Sequence, residues 1–134
     1  MASPNQTIRL DPPDTLALLA EISALGSVTT IVIHHGHVFE YKGEFPSGSM
    51  AEGYYNLHAE QGFTGHLRLA AIHHIDMVCG QHRGRDTYYW QFCHDNGDVA
   101  FKVFLGRDAA GDVISRQKQW FLDRFQQLNR SIPA

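Results

Sequence analysis

The chain of 134 residues has only two cysteines, no long apolar run and no excess of charge of either sign. Cys79 and Cys93 cannot build the disulfide framework of a small secreted scaffold; both fall in apparent strands and read as buried thiols. The longest apolar run, around Ile31 to Ile33, is far too short to span a bilayer. Met1 to Leu10 is polar and lacks the apolar stretch of a signal peptide, so a cytoplasmic location is expected. A formal charge of −3, with no basic run, excludes the electrostatic footprint of a nucleic-acid binder or of a protein held on an anionic membrane. The common enzyme signatures are missing: there is no Gly-x-Ser-x-Gly elbow, phosphate loop or Gly-x-Gly-x-x-Gly after a strand. Cys93 and His94 are neighbours in a strand, so their side chains point to opposite faces and cannot form a nucleophile–base pair. A non-enzymatic role is therefore expected.

What is present is ordinary globular material with two excesses. Hydrophobic residues make up 43% and charged residues 19%, which fits one domain over 1–134 with its own core. Nine histidines accompany eight phenylalanines, five tyrosines and two tryptophans, a combination suited to a metal or a flat conjugated ligand.

The pattern of elements predicts an α+β fold. Asp11-Pro12-Pro13-Asp14 reads as a helix start, Leu18, Ile22 and Leu25 form its apolar stripe, and Gly26 ends it. About seven short antiparallel strands follow: Val28–His34, His37–Lys42, Tyr54–His58, Phe63–Leu69, Ile72–Cys79, Asp86–His94 and Val99–Leu105. Gly43 to Gly53 reads as a loop, and Asn96-Gly97 as a tight hairpin with positive φ tolerated at both residues. A C-terminal helix is predicted over Gly111 to Leu128, its stripe of Ile114, Phe121, Phe125 and Leu128 packed on a sheet. Strands without alternating helices exclude a parallel doubly wound sheet.

Among the histidines, His34, His35 and His37 surround a turn and are expected in solvent, as are His58, His82 and His94. Only one of His73 and His74 can face the interior. His66 differs, because it follows Gly65 in the apolar strand Phe63-Thr64-Gly65-His66-Leu67. Glycine allows close approach of a ligand, and a buried neutral imidazole there would be a good axial ligand for haem iron. In Gly53-Tyr54-Tyr55-Asn56-Leu57 one tyrosine must face each side, and a tyrosinate suits ferric haem, though a packed, hydrogen-bonded tyrosine is the commoner reason for such a residue.

Five segments sharpen this. Val28-Thr29-Thr30, Gly43-Glu44-Phe45-Pro46-Ser47-Gly48, Gly53-Tyr54-Tyr55-Asn56-Leu57, Gly65-His66-Leu67 and Phe104-Leu105-Gly106-Arg107-Asp108 occur in the order and spacing of the HutX/ChuX family of cytoplasmic haem-utilisation carriers. The chain resembles that family from about Ser27 to Leu128. The resemblance implies antiparallel sheets with flanking helices, a homodimer, haem as the ligand, a kinship with HemS-type proteins, and a haem-degrading, reductase or storage partner that receives the haem. It implies His66 as a haem-binding position. A second family histidine falls, counted without gaps, on Ile33, so the second contact is expected from Tyr54, with His34 as its rival. His66 and Tyr54 are expected to line one pocket, left more open by an N-terminus shorter than in longer members. The competing expectations are a haem-degrading enzyme and a transition-metal binder using His34, His35 and His37.

Overall fold

The computed structural model describes residues 5–60 and 63–131. Of the polar opening stretch, residues 1–4 lie outside the described residues. The elements run β1 (Gln6–Leu10), α1 (Thr15–Ser23), β2 (Ser27–His34), β3 (His37–Glu44), β4 (Gly48–Ala51), β5 (Tyr54–Leu57), β6 (His66–Leu67), a 3₁₀ turn (Leu69–Ala71), β7 (His74–His82), β8 (Arg85–Cys93), β9 (Val99–Leu105) and α2 (Ser115–Ser131). One sheet has six antiparallel strands in the order β1-β7-β8-β9-β2-β3, and a second has three, β4-β5-β6.

Period-2 alternation decides which residues make the core. Ile75 and Met77 of β7, Trp90 and Phe92 of β8, Phe101, Val103 and Leu105 of β9, and Val28 of β2 are all buried on one face of the large sheet. Both helices bury their apolar residues against that face. Leu18, Leu19 and Ile22 do so from α1, and Phe121 of α2 meets Trp90 with ring centroids 5.0 Å apart. The small sheet covers the rest through Tyr55 and Leu57, next to Phe45, whose ring stacks 6.4 Å from Phe101.

The join between helices and sheet is polar. Gln117 of α2 is 0% exposed; its Oε1 accepts from the Gly106 amide at 2.8 Å, and its Nε2 donates to the carbonyls of Ser27 at 2.8 Å and Leu25 at 3.2 Å. Gly106 is required here by close approach, since a Cβ would stand 2.0 Å from the Ser27 carbonyl oxygen.

The α+β class expected from the sequence holds, with corrections in detail. There are nine strands among the described residues instead of about seven. A strand, β1, precedes the first helix, and β4 lies in the stretch read as a loop; both are edge strands, where solvent removes the need for apolar alternation. The helix cap is Asp14, whose side chain accepts from the Ala17 amide at 3.1 Å, because Asp11 and Pro12 each precede a proline and are steered away from helical backbone. The last helix begins only at Ser115; before it Asp108 Oδ1 accepts from the amides of Ala110 and Asp112 at 2.9 and 3.0 Å and holds a loop. The tight two-residue hairpins are His35-Gly36, Glu52-Gly53 and Arg83-Gly84, each with both φ angles positive. At Asn96-Gly97 only the glycine has positive φ, and the His94 amide donates to the Asp98 carbonyl at 2.8 Å across a longer turn.

Gln117→Leu would strand the buried Gly106 amide and remove a donor from the Ser27 and Leu25 carbonyls, of which Leu25 keeps Arg116 Nη2 at 3.0 Å, so it is expected to lower unfolding free energy by on the order of 2 kcal/mol. Gln126→Leu, on the exposed side of α2, is expected to change it by less than about 0.5 kcal/mol. Urea unfolding followed by tryptophan fluorescence checks both.

Candidate ligand cleft

Where the two sheets diverge they leave a cleft of about 290 Å³, walled by Val32, Phe45, Leu57, Phe63 and Phe101 and bordered by Gly65, His66 and His94. A wider hollow of about 840 Å³ adjoins it at the end of β2, lined by His34 and His35. Val32, His94 and Ala100 border both spaces.

His66 stands opposite Asn56 across the β5–β6 pair. The expectation of a buried imidazole in an apolar strand is not met: β6 has two residues, Leu67 takes the inward position, and His66 is exposed. Its tautomer is nevertheless fixed. Asn56 Nδ2 donates to the carbonyls of Ala51 and Tyr54, both at 3.2 Å, so Asn56 Oδ1 must be the acceptor facing His66 Nδ1. His66 therefore carries its proton on Nδ1, which leaves the Nε2 lone pair for a ligand.

Tyr54 and Tyr55 divide as expected, Tyr55 inward and Tyr54 outward at 42% exposure. Tyr54 lies edge-on to His66, ring centroids 6.2 Å apart, on the open face of the small sheet. The structure thus brings Tyr54 beside His66, though Tyr54 is not in the wall of the cleft that His66 borders. The alternation of β2 gives His34 the same face as Val32, while Ile33 points to the other face of the sheet. His34 lines the open hollow and does not reach the cleft wall.

His94 is the residue that sequence reasoning missed. It was expected in solvent; it is half-buried, and its Nδ1 donates to the Ala71 carbonyl at 2.9 Å. That bond again leaves Nε2 free, at the border of cleft and hollow. The signal was available: Trp90 and Phe92 face the core, and period 2 carries that face on to position 94.

The remaining histidines sort by face. His74 is buried and His73 exposed, with their Nδ1 atoms 3.0 Å apart. His34, His35 and His37 are all in solvent. Among the described residues it is His74, Asp76 and Cys93, and not these turn histidines, whose potential ligand atoms come together, all within 4.8 Å of one another. Neither cysteine is a nucleophile: both are free, and burial pushes the Cys79 thiol from 9.0 up to about 11 and raises that of Cys93.

Fold and cleft together define a small α+β domain in which imidazoles of fixed tautomer border an open apolar cleft. The chain belongs to the haem utilisation ChuX/HutX family, whose model matches residues 8–128. It is 38% identical over 119 residues to the intracellular heme transport protein HutX of Vibrio cholerae serotype O1, an alignment covering 88% of this chain and 62% of HutX. Its structure is similar to the crystal structure of ChuX, with a TM-score of 0.86 and 28% identity over 92% of this chain and 78% of ChuX. A structure of the heme binding protein ChuX matches with a TM-score of 0.79 and 30% identity over 93% of this chain and 78% of that one. ChuS, an Escherichia coli heme oxygenase, shares the fold alone, at 16% identity and a TM-score of 0.72, over 88% of this chain and 36% of ChuS. No helix among the described residues is long and apolar enough to cross a membrane.

The raised thiol value has a sign that can be checked. The Cys79 proton is held more tightly in the folded chain, so its contribution to stability is complete below about pH 9 and is lost as pH rises toward about 11. Stability is expected to fall across that window, and Cys79→Ala to flatten the fall; a disulfide-exchange reagent at pH 7.5 should label the cysteines only after unfolding.

Proposed function

We propose that this chain binds haem in the cleft and carries it within the cytoplasm to a haem-degrading or storage partner. The observation that carries this reading is the apolar cleft with two imidazoles on its border, His66 and His94, each holding its proton on Nδ1 and offering Nε2. Neutral Nε2 is the usual imidazole donor to haem iron, and a hydrogen bond from the far ring nitrogen orients the ring and raises its basicity. At about 290 Å³ the cleft is at the lower end of the roughly 300–1,000 Å³ of small-molecule sites. One edge of the macrocycle would enter over Val32 and Phe101, beneath Leu57 and Leu67 of the small sheet, and the rest would lie over the hollow beside it. Such partial exposure suits a ligand that must be handed on.

His66 is the first choice as ligand. Tyr54, edge-on to His66, would support it from alongside, and His34, which lines the hollow, would touch the part of the haem that lies over it. The family membership and the relatives' haem transport and haem binding support the same reading. The chain spans about 62% of the HutX relative, so transfer to a partner is proposed for this segment on the strength of its cleft.

Ferric haem titrated into the protein free of haem is expected to give a saturable Soret shift that survives ascorbate. His66→Ala should weaken binding at least about tenfold or change the spectrum. Unchanged affinity and spectrum in His66→Ala would remove it from the site, and loss of the Soret band with release of iron after ascorbate would replace carriage with degradation.

A homodimer belongs to the proposal as well. The face of the large sheet away from the helices carries Ile33, Val38, Tyr89 and Phe104, with Tyr89 and Phe104 stacked 4.5 Å apart. Both helices lie against the other face, and exposed apolar surface of this kind calls for a cover. Sedimentation at micromolar concentration is expected to give about twice the 15.1 kDa chain mass; a single species of 15.1 kDa would contradict it.

A further inference from the structure

We propose a second, separate site: a divalent metal of borderline softness, zinc being the type, held by His74 Nε2, Asp76 and Cys93 Sγ. His74 and Cys93 are paired across β7 and β8, and Asp76 follows His74 by two residues, so all three side chains share one face of the sheet. That face is opposite the one carrying Ile75 and Met77, and therefore opposite the face on which the haem cleft opens. The three are 7%, 6% and 2% exposed. One nitrogen, one oxygen and one sulfur donor, drawn from two adjacent strands, form a set that zinc accepts with a fourth position left open.

The spacing is what points to an ion. His74 Nε2 and the nearer Asp76 oxygen are 3.9 Å apart, too long for a hydrogen bond. Ligands about 2.0–2.3 Å from a tetrahedral zinc stand roughly 3.3–3.8 Å from one another, so the three atoms, within 4.8 Å of one another here, would draw in around the ion. The other His74 nitrogen already has a partner, since its Nδ1 is 3.0 Å from His73 Nδ1. When the proton of that pair is on His74 Nδ1, its Nε2 is left as a lone pair on the Asp76 side, the tautomer a metal would select.

Arg9 completes the arrangement from outside. Its Nε and Nη2 donate to the two Asp76 oxygens at 2.9 and 3.2 Å, and the guanidinium remains in solvent. This fixes the plane of the carboxylate, while each oxygen retains a further lone pair for a metal. On binding, the Cys93 thiol loses its proton to solvent and the thiolate becomes the ligand; no electron changes hands.

Cobalt(II) reports on the site directly. Protein free of haem, kept reduced, is titrated with cobalt(II). One equivalent per chain should give a near-ultraviolet thiolate-to-cobalt charge-transfer band with the strong visible absorption of a four-coordinate ion, and zinc should displace it. Cys93→Ser is expected to abolish the charge-transfer band, and His74→Ala to weaken cobalt binding at least about tenfold. Cys79→Ser, whose side chain lies on the opposite face, and His66→Ala should leave the band in place. Absence of a charge-transfer band at one equivalent, or its survival in Cys93→Ser, would overturn the site. Should His74→Ala fail to fold, zinc X-ray absorption of the wild-type chain decides. One sulfur at about 2.3 Å supports the site, and a shell of nitrogen and oxygen alone refutes it.

Discussion

A single buried amide fixes how the helices meet the sheet. Gln117 saturates one amide and two carbonyls from the segments where α1 gives way to β2 and where β9 ends. The Gly106 amide would otherwise be a buried donor without a partner, at a cost of about 1–3 kcal/mol, whereas the Leu25 carbonyl also accepts from Arg116 Nη2 at 3.0 Å. The geometry is demanding, because Gly106 must run so close to Ser27 that no side chain fits between them. The Gly106 of the Phe104-Leu105-Gly106-Arg107-Asp108 segment is thus explained by packing, and its neighbour Asp108 by the loop it nucleates.

With the helices fixed over one end of the sheet, the other end must be covered by something else. Three short strands do this, but only Tyr55, Leu57 and Leu67 of the small sheet reach inward. A sheet this narrow cannot close the gap over Val32 and Phe101, and the cleft is what remains. The same narrowness places His66 at its rim and not within it. A histidine at the rim keeps one nitrogen for a ligand only if the ring is held, and Asn56, itself fixed by the bonds its Nδ2 donates to the Ala51 and Tyr54 carbonyls of its own hairpin, accepts from His66 Nδ1. In the proposed site Asn56 would act through His66, by fixing which ring nitrogen is offered.

The helices and the central strands were legible in the sequence because their apolar period is strong. Trp90, Phe92, Phe101 and Val103 alternate without exception, and Phe121 and Phe125 repeat at helical spacing. What was not legible follows from the weakness of that signal at edges. In β1 only Ile8 is buried, so five strand residues look like a polar tail. In β4 the chain is held by pairing to β5 and by the Glu52-Gly53 turn, while its own residues stay at least partly in solvent. At the site, His66 was found through a motif, but its environment was misjudged, because one apolar neighbour on each side says nothing about how short the strand is. His94 was overlooked for the opposite reason. Its position next to a turn suggested exposure, whereas the alternation of β8 had already committed it inward.

His74 marks a further limit of reading residues singly. The sequence showed that one of His73 and His74 must be buried, and stopped there. Burying an imidazole is costly unless both of its nitrogens are answered. One answer is His73, its neighbour in the chain; the other has to come from across the sheet, where only three-dimensional register brings Cys93 opposite and Asp76 alongside. The two faces of the large sheet thus carry different chemistry for a structural reason. The inner face is occupied mainly by aromatic and aliphatic side chains, with Thr30 as a buried polar exception and His94 at its edge. The outer face has no helix to satisfy, so polar groups can collect in its middle provided they satisfy one another. His74, Asp76, Cys93 and Arg9 do so incompletely, and the 3.9 Å left between a nitrogen and an oxygen is the part of that face its own residues do not fill.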